Sequence, residues 1–423
     1  MSRQHRPMLA LSLIALVMTL LLASGAFYVA RGADPIKIGF GMALTGGLSA
    51  NGKPALLAMQ IWKDDINKKG GLLGRQVELV FYDDQTNPST VPGIYSKLLD
   101  VDKVDFIVSG YGTNLIAPLM PIAMERKLTL VGIFGLANNE KYKYPNYFQI
   151  SPNGPDPEIS TPQGFFELAA KQNPKPQTVA IVGADAEYPQ NALVGSRELI
   201  KRFGFKTVYD KTYPPSTVDY TPIVRAIKAT NPDVVFIASY PPDSVGMLRA
   251  IHEVGLSPKM VGGGMVGLQF TSVMTSMGSM LNGIVNYDFW APESTMMFPG
   301  IKEFFAQYQP RAQKESMDPL GYYLPPYSYA AMQVLGQAIE ATKGLDQQKV
   351  ADYIRATEFS TIVGKVKFGK NGEWAQGRTL MVQYQKIQGN SVDQFRGPGK
   401  KVVLFPDEFK SGSMIYPYSA AKN

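Results

Sequence analysis

Apolar and polar positions along this chain switch between two periods. Residues 36–40, 77–82 and 128–134 and the short stretch 106–108 are apolar, β-rich runs. They are bounded by glycine or polar turns, the pattern of parallel strands covered on both faces. Between them the spacing turns helical. Ala55, Met59, Trp62 and Ile66 recur at intervals of 4, 3 and 4 and end at Gly70-Gly71, and residues 94–99 form the core of a second helix. The strand at 106–108 stops in Gly110-Tyr111-Gly112-Thr113-Asn114. Pro118, tolerable only in a first turn, predicts a helix starting between Asn114 and Ala117. Strand and helix in this rhythm define a doubly wound parallel α/β unit.

The rhythm then restarts. After a Pro-, Asn- and Asp-rich stretch at 147–158, helical and strand patterns follow at 165–170, 179–182, 189–203, 234–238 and 243–254, and a short strand is predicted to end in Gly262-Gly263-Gly264. The two units share an internal repeat. Tyr82-Asp83 and Pro88-Ser89-Thr90-Val91 match Tyr209-Asp210 and Pro215-Ser216-Thr217-Val218 at an offset of 127, and the strands after them, from Asp105 and Asp233, at 128. Six identities in register, with like flanking elements, predict two lobes of one topology facing each other. After Asn286 the chain is predicted to cross back into helices at 300–308, 324–342 and 346–356, then strands at 363–368, 380–387 and 402–405.

Composition narrows what such a pair of lobes can do. At 423 residues, 45% hydrophobic and 18% charged, the chain is an ordinary globular one with more than one core. The net charge of +7 is scattered rather than massed, which argues against nucleic-acid binding. Arg3, His5 and Arg6, an apolar run from Met8 to Leu22 and Ser24-Gly25-Ala26 read as a signal peptide within residues 1–33; an uncleaved anchor is the competing reading. With no cysteine there is no lipobox, so export to the periplasm without a lipid anchor is expected. The two histidines are His5 and His252, too few for a Ser/His/Asp triad without His252 or for a Cys/His zinc site, and His252 stands at a predicted helix end. The pairs Asp64-Asp65 and Asp83-Asp84 fall on a helix face and in a turn, where structural roles are expected. No dinucleotide fingerprint is complete, and no cofactor or metal is expected.

Binding chemistry is what the strand-end loops offer. Thr45, Thr113 and Asn114 present hydroxyl and amide groups on one lobe; Tyr188, Ser239, Tyr240 and Met265 stand at the corresponding ends on the other. Hydroxyls suit a carboxylate, and tyrosines close over an apolar body with a polar tip.

The chain resembles a type I periplasmic substrate-binding protein of the branched-chain amino acid ABC-transporter group. The resemblance is carried by Ile36-Lys37-Ile38-Gly39 with Leu44-Thr45-Gly46, by Gly70 to Arg75, by Tyr82-Asp83-Asp84, by the strand from Asp105, and by Val366-Lys367-Phe368 with Asn371-Gly372. It implies two lobes joined by three crossings, one formed by 34–150 with 290–358 and the other by 151–289 with 359–423. It also implies a monomer that closes on a small-molecule ligand and docks to a membrane ABC permease. By resemblance, Thr113 holds a ligand carboxylate, Gly135 to Asn138 supply backbone contacts, and Tyr188 and Tyr240 supply aromatics; Leu44, Gly112, Phe134, Leu136, Ala137 and Trp290 join the expected site. Two positions depart from the family pattern. The second loop reads Gly135-Leu136-Ala137-Asn138 without a threonine, and Met265 stands where amino-acid binders place an acid for the ligand's ammonium. The expected function is a non-catalytic solute-binding component of an importer, for a hydrophobic amino acid or an aromatic or apolar carboxylic acid. A ligand sensor on the same fold and, from another class, a hydrolase on an α/β scaffold are the alternatives.

Overall fold

The computed structural model describes residues 34–422; the expected signal peptide lies outside them. Two sheets dominate. The first is parallel, with strands β1 (Ile36–Met42), β2 (Val77–Asp83), β3 (Phe106–Tyr111), β4 (Leu130–Ile133) and β5 (Tyr147–Gln149) in the order β2-β1-β3-β4-β5. The second takes β6 (Thr178–Ala184), β7 (Lys206–Tyr213), β8 (Val234–Ser239), β9 (Met260–Met265) and β10 (Val285–Asp288) in the parallel order β7-β6-β8-β9-β10. Each order places the second strand outside the first and then steps the other way, so the repeat seen in the sequence is a repeat of topology. A hairpin follows, β11 (Glu358–Thr361) with β12 (Gly364–Lys367), and then β13 (Leu380–Tyr384) and β14 (Lys401–Phe405) extend the second sheet antiparallel beyond β10.

The all-apolar runs became central strands because both faces are covered: every residue of β3 and of β8 is buried. Helix Ser49–Lys68 packs on the first sheet, and helices Ile301–Lys314 and Pro325–Thr342 pack against it in turn. The hairpin β11–β12 lies against Pro325–Thr342, so the chain leaves this side only after Lys367.

Three crossings join the sheets, and they touch one another. Arg378 N–H donates to Pro152 O at 2.7 Å, and Trp374 Nε1 donates to Ile150 O at 3.0 Å. The Arg378 guanidinium lies 4.7 Å from the Phe298 ring and 4.9 Å from that of Trp374.

Four strands differ from expectation, among them β11, where no strand was predicted. The stretch from Tyr147 pairs with β4 as β5 before the crossing begins, and β7 and β10 are strands that the apolar pattern did not mark. The strand predicted to end in glycines 262–264 is β9, which runs one residue further, to Met265. Gly262 has φ +138°, and a Cβ there would stand 1.8 Å from Val285 O; only glycine lets β9 and β10 approach so closely. The helix after β3 begins at Thr113, one residue before the predicted range.

Candidate functional site

At the C-terminal edge of the first sheet, two loops lock together. Gly112, at φ +108°, turns the chain out of β3, and buried Thr113 follows. Its Oγ1 accepts from Leu136 N–H at 3.0 Å, while Asn138 Nδ2 donates to Thr113 O at 3.0 Å. The loop after β4 is bent sharply, with Phe134 and Ala137 in the left-handed region at φ +49° and +59°. Non-glycine residues hold such angles only where their surroundings over-determine them. Here the surroundings are polar: Gly135 O accepts from Gln149 Nε2 at 2.9 Å, Ser151 Oγ at 3.2 Å and Asn153 Nδ2 at 3.3 Å. The Thr113 hydroxyl, already an acceptor, keeps its own proton to donate.

Rings from the second sheet and from the segment before helix Pro325–Thr342 face this edge. Tyr188 lies in the first turn of helix Glu187–Arg202, and Tyr240 immediately precedes helix Pro241–Val254. Their ring centroids are 5.7 Å apart. Tyr287 comes from β10, Phe289 follows that strand, and Tyr323 precedes helix Pro325–Thr342. Phe289 and Tyr323 stack at 5.9 Å, and Phe134 reaches across to both, at 4.9 and 5.1 Å. Asn191 Nδ2 donates to Leu136 O at 2.9 Å, a second direct tie between the two sides.

A cavity of about 30 Å³ lies between these walls, lined by Tyr111, Gly112, Thr113, Phe134, Gly135, Leu136, Ser151, Asn153, Thr161, Tyr188, Tyr240, Val266, Tyr287, Phe289 and Tyr323. None of these described residues carries a charge. Burial, the largest cause in each case, pushes the phenols of Tyr111, Tyr188, Tyr240, Tyr287 and Tyr323 up from their ordinary value, so they remain neutral hydroxyls. Tyr188 Oη donates to Gly264 O at 3.0 Å, and the hydroxyls of Tyr287 and Tyr323 are 3.1 Å apart. Tyr240 Oη is buried with no partner among the described residues. Asp243, in the turn after Tyr240, is not one of the lining groups; its carboxylate takes the Tyr213 hydroxyl at 2.6 Å. Such a site can hold a small molecule through neutral donors and aromatic faces.

Of the residues expected from the sequence, Gly112, Thr113, Phe134, Gly135, Leu136, Tyr188 and Tyr240 are brought together at the cavity. The structure places the others apart from its lining. Thr45 Oγ1 donates to Asp83 Oδ2 at 2.6 Å, and Leu44 N–H donates to Asp83 Oδ1 at 3.0 Å, so both close a turn against β2. Asn114 stands beside the loop with its Oδ1 buried and unpaired, and Ala137 shapes the bend. Ser239 bonds Ser244, 2.8 Å between hydroxyl oxygens. Met265 is fixed by its own backbone, whose N–H donates to Asn286 Oδ1 and whose carbonyl accepts from Asn286 Nδ2, both at 2.9 Å; Val266, the next residue, lines the cavity. Trp290 faces away, its Nε1 donating to Met296 O at 2.9 Å and its ring 4.7 Å from Tyr322, while neighbouring Phe289 lines the cavity. In both cases one step along the chain moved the side chain to the other face. Tyr111 was visible in the Gly110–Asn114 stretch. Ser151, Asn153, Thr161, Tyr287 and Tyr323 had no local signal: Ser151 and Asn153 lie in the first crossing, Thr161 in helix Pro157–Ala170, Tyr287 in β10, which the apolar pattern did not mark, and Tyr323 just before helix Pro325–Thr342.

Two topologically matched lobes, joined by three crossings and meeting over a small uncharged cavity at their strand ends, define a type I binding-protein fold. The family model described as periplasmic binding protein matches residues 35–389, and the chain belongs to that family. Among curated relatives, the Leu/Ile/Val-binding protein homolog 8 of Brucella abortus (strain 2308) is 23% identical over 403 residues, covering 93% of this chain and 96% of that relative. Among solved structures, the branched-chain amino acid transporter substrate-binding protein LivJ of Streptococcus pneumoniae, in complex with isoleucine, shares the fold at TM-score 0.70 and 16% identity, over 84% of this chain and 97% of the other. A solute-binding protein of an ABC transporter from Rhodopseudomonas palustris HaA2, in complex with p-hydroxybenzoic acid, shares it at TM-score 0.73 and 21% identity, over 84% and 95%. Among the described residues no helix is long and apolar enough to cross a membrane.

Proposed function

We propose that this protein is the non-catalytic solute-binding component of an ABC importer, working in the periplasm, and that its ligand is a small carboxylate with an aromatic or apolar body rather than a free amino acid. One lobe is residues 34–150 with 290–358 and the hairpin β11–β12; the other is 151–289 with the remainder. The observation that carries the reading is the uncharged lining. A carboxylate can be held by neutral donors, and the hydroxyls of Thr113 and Tyr240 supply them. An ammonium needs an acid, and Val266 and Met265 offer none; leaving it buried and unpaired costs about several kcal/mol. The lining rings touch one another at 4.9–5.9 Å and the cavity between the lobes is only about 30 Å³, so a flat apolar body would enter against these ring faces as the lobes part. The known relatives include a binder of each ligand type, so the fold is compatible with both. Capture by one lobe, completion of the site by the other and recognition of the closed form by a permease follow from the two-lobe design.

A thermal-shift and calorimetric screen tests this, with benzoate and its hydroxylated derivatives against leucine, isoleucine, valine and phenylalanine. Glycine betaine belongs in the panel because ring faces also receive cations. The expected result is the largest shift from an aromatic carboxylate, about 2.7 kcal/mol of stabilisation at a hundred times its Kd. A largest shift from leucine, isoleucine, valine or betaine overturns the reading.

A further inference from the structure

The ligand cavity has a smaller neighbour. A space of about 10 Å³ is lined by residues that include Asn51, Phe270, Asp318 and Tyr323, and Tyr323 lines both spaces. Asn51 belongs to the first turn of helix Ser49–Lys68 and is wholly buried. Neither its Oδ1 nor its Nδ2 has a hydrogen-bond partner among the described residues. The other polar side chains here are already committed: the Tyr323 hydroxyl pairs with that of Tyr287, and the Asp318 carboxylate accepts from Leu320 N–H at 3.0 Å, Gly321 N–H at 3.1 Å, Thr271 N–H at 3.2 Å and the Thr271 hydroxyl. A primary amide buried with both ends unpaired is costly, and a leucine of similar shape would fill the same place without that cost. The residue type therefore points to something that meets the amide from the cavity side. The volume admits one water-sized group and not a further ring.

We propose that Asn51 is a specificity-determining residue whose amide receives a hydrogen-bonding substituent, a hydroxyl or an amino group, carried on the ligand body and reaching past the Tyr323 ring. This rests on the reading of the larger cavity as a carboxylate site. An amide can donate to and accept from such a group at once, and an unsubstituted ring leaves it unpaired. The site then prefers a substituted aromatic or alicyclic acid over the plain one by the worth of about one net hydrogen bond, roughly tenfold in affinity.

The test uses the full mature chain and its Asn51→Leu variant. Calorimetry measures benzoate, its three monohydroxy isomers and the three aminobenzoates, and melting of both proteins is followed without ligand. The expected result is that at least one substituted benzoate binds the parent about tenfold tighter than benzoate, that Asn51→Leu removes this preference while keeping benzoate within roughly twofold, and that the ligand-free variant melts no lower than the parent. An unchanged preference in Asn51→Leu overturns the proposal, as does an equal loss for benzoate and its derivatives, which would mark a structural water at Asn51. A marked fall in the melting temperature of the ligand-free variant overturns it too, since Asn51 would then serve the free protein. If no member of the panel binds the parent, the carboxylate reading itself fails and the subsite falls with it, an outcome distinct from a lost or unchanged preference.

Discussion

Replacing Thr113 by valine keeps the shape of the side chain and removes one oxygen. In the folded protein that oxygen accepts from Leu136 N–H at 3.0 Å, and Thr113 is 2% exposed, so water does not take its place. An unsatisfied buried N–H costs about 1–3 kcal/mol. At roughly 2.1 cal/mol/K per residue, a chain of this size has an unfolding entropy near 0.8 kcal/mol/K, so the melting temperature is expected to fall by about 1–4 °C. The effect on binding is larger. A hydrogen bond to a carboxylate contributes about 1.5–3 kcal/mol, which corresponds to roughly 10- to 150-fold in Kd. Thr113→Ser, which keeps the oxygen on the same Cβ, is expected to recover most of both losses. Calorimetry with the tightest carboxylate of the screen, alongside melting of the ligand-free proteins, separates the two effects. Binding by Thr113→Val as tight as that of the parent, or binding by Thr113→Ser no better than by Thr113→Val, would refute the assignment of Thr113 as a carboxylate donor.

Two further outcomes are expected. Burial pushes the Asp243 carboxyl from the ordinary 3.8 up to about 6, despite the Tyr213 hydroxyl. Between these two values the folded protein holds a proton that the unfolded chain has lost, so this group makes stability rise as pH falls from about 6 to about 4, by up to about 3 kcal/mol. Asp243→Asn is expected to remove that part of the pH slope in urea titrations at pH 4.5, 5.5 and 7, and an identical slope in the variant contradicts the assignment. At Gly135 a Cβ would lie 1.9 Å from Asn138 Oδ1 and 2.8 Å from Gln149 Nε2, so Gly135→Ala must break the bonds that hold the loop. A loss of about 1–3 kcal/mol in urea unfolding together with weakened ligand binding is expected, and an unchanged midpoint would show that the loop is not held this way.

The central strands were legible because each is covered on both faces and so reads as a continuous apolar run: β3 and β8 carry no exposed residue. The edge strand β7 was not, since Lys206, Asp210 and Lys211 face solvent and break the run. Its place could still be read from the Tyr209-Asp210 repeat, which sets β7 against β2. Within the site, the residues at strand ends were legible for the same topological reason. Val266 and Phe289 were each one residue from the expected position, a shift that the glycine-rich path of β9 and the end of β10 decide only in three dimensions. Tyr323 lies 34 residues beyond Phe289 on the chain and meets it through the second crossing, where no periodicity could reveal it.

The charge missing from the cavity is present at the crossings. Arg378 is 8% exposed, and one Nη2 donates to Val363 O and, at 3.3 Å, to the Tyr327 hydroxyl. Its backbone bonds the first crossing at Pro152, its guanidinium lies over Phe298 of the second, and it belongs to the third. Tyr327 in turn donates to Phe289 O at 2.8 Å, and its ring lies 5.2 Å from that of Phe134. One buried cation thus ties together the three segments that join the lobes, a single residue away from two phenylalanines of the cavity. Desolvated cation–π contacts are worth about 2 kcal/mol or more, and the positive field of this guanidinium reaches Tyr327, whose phenol it pulls down against the effect of burial. A carboxylate ligand, as proposed, would meet neutral donors whose protons do not leave near neutral pH, so its binding is expected to depend on the ligand's own carboxyl and not on titration of the phenols.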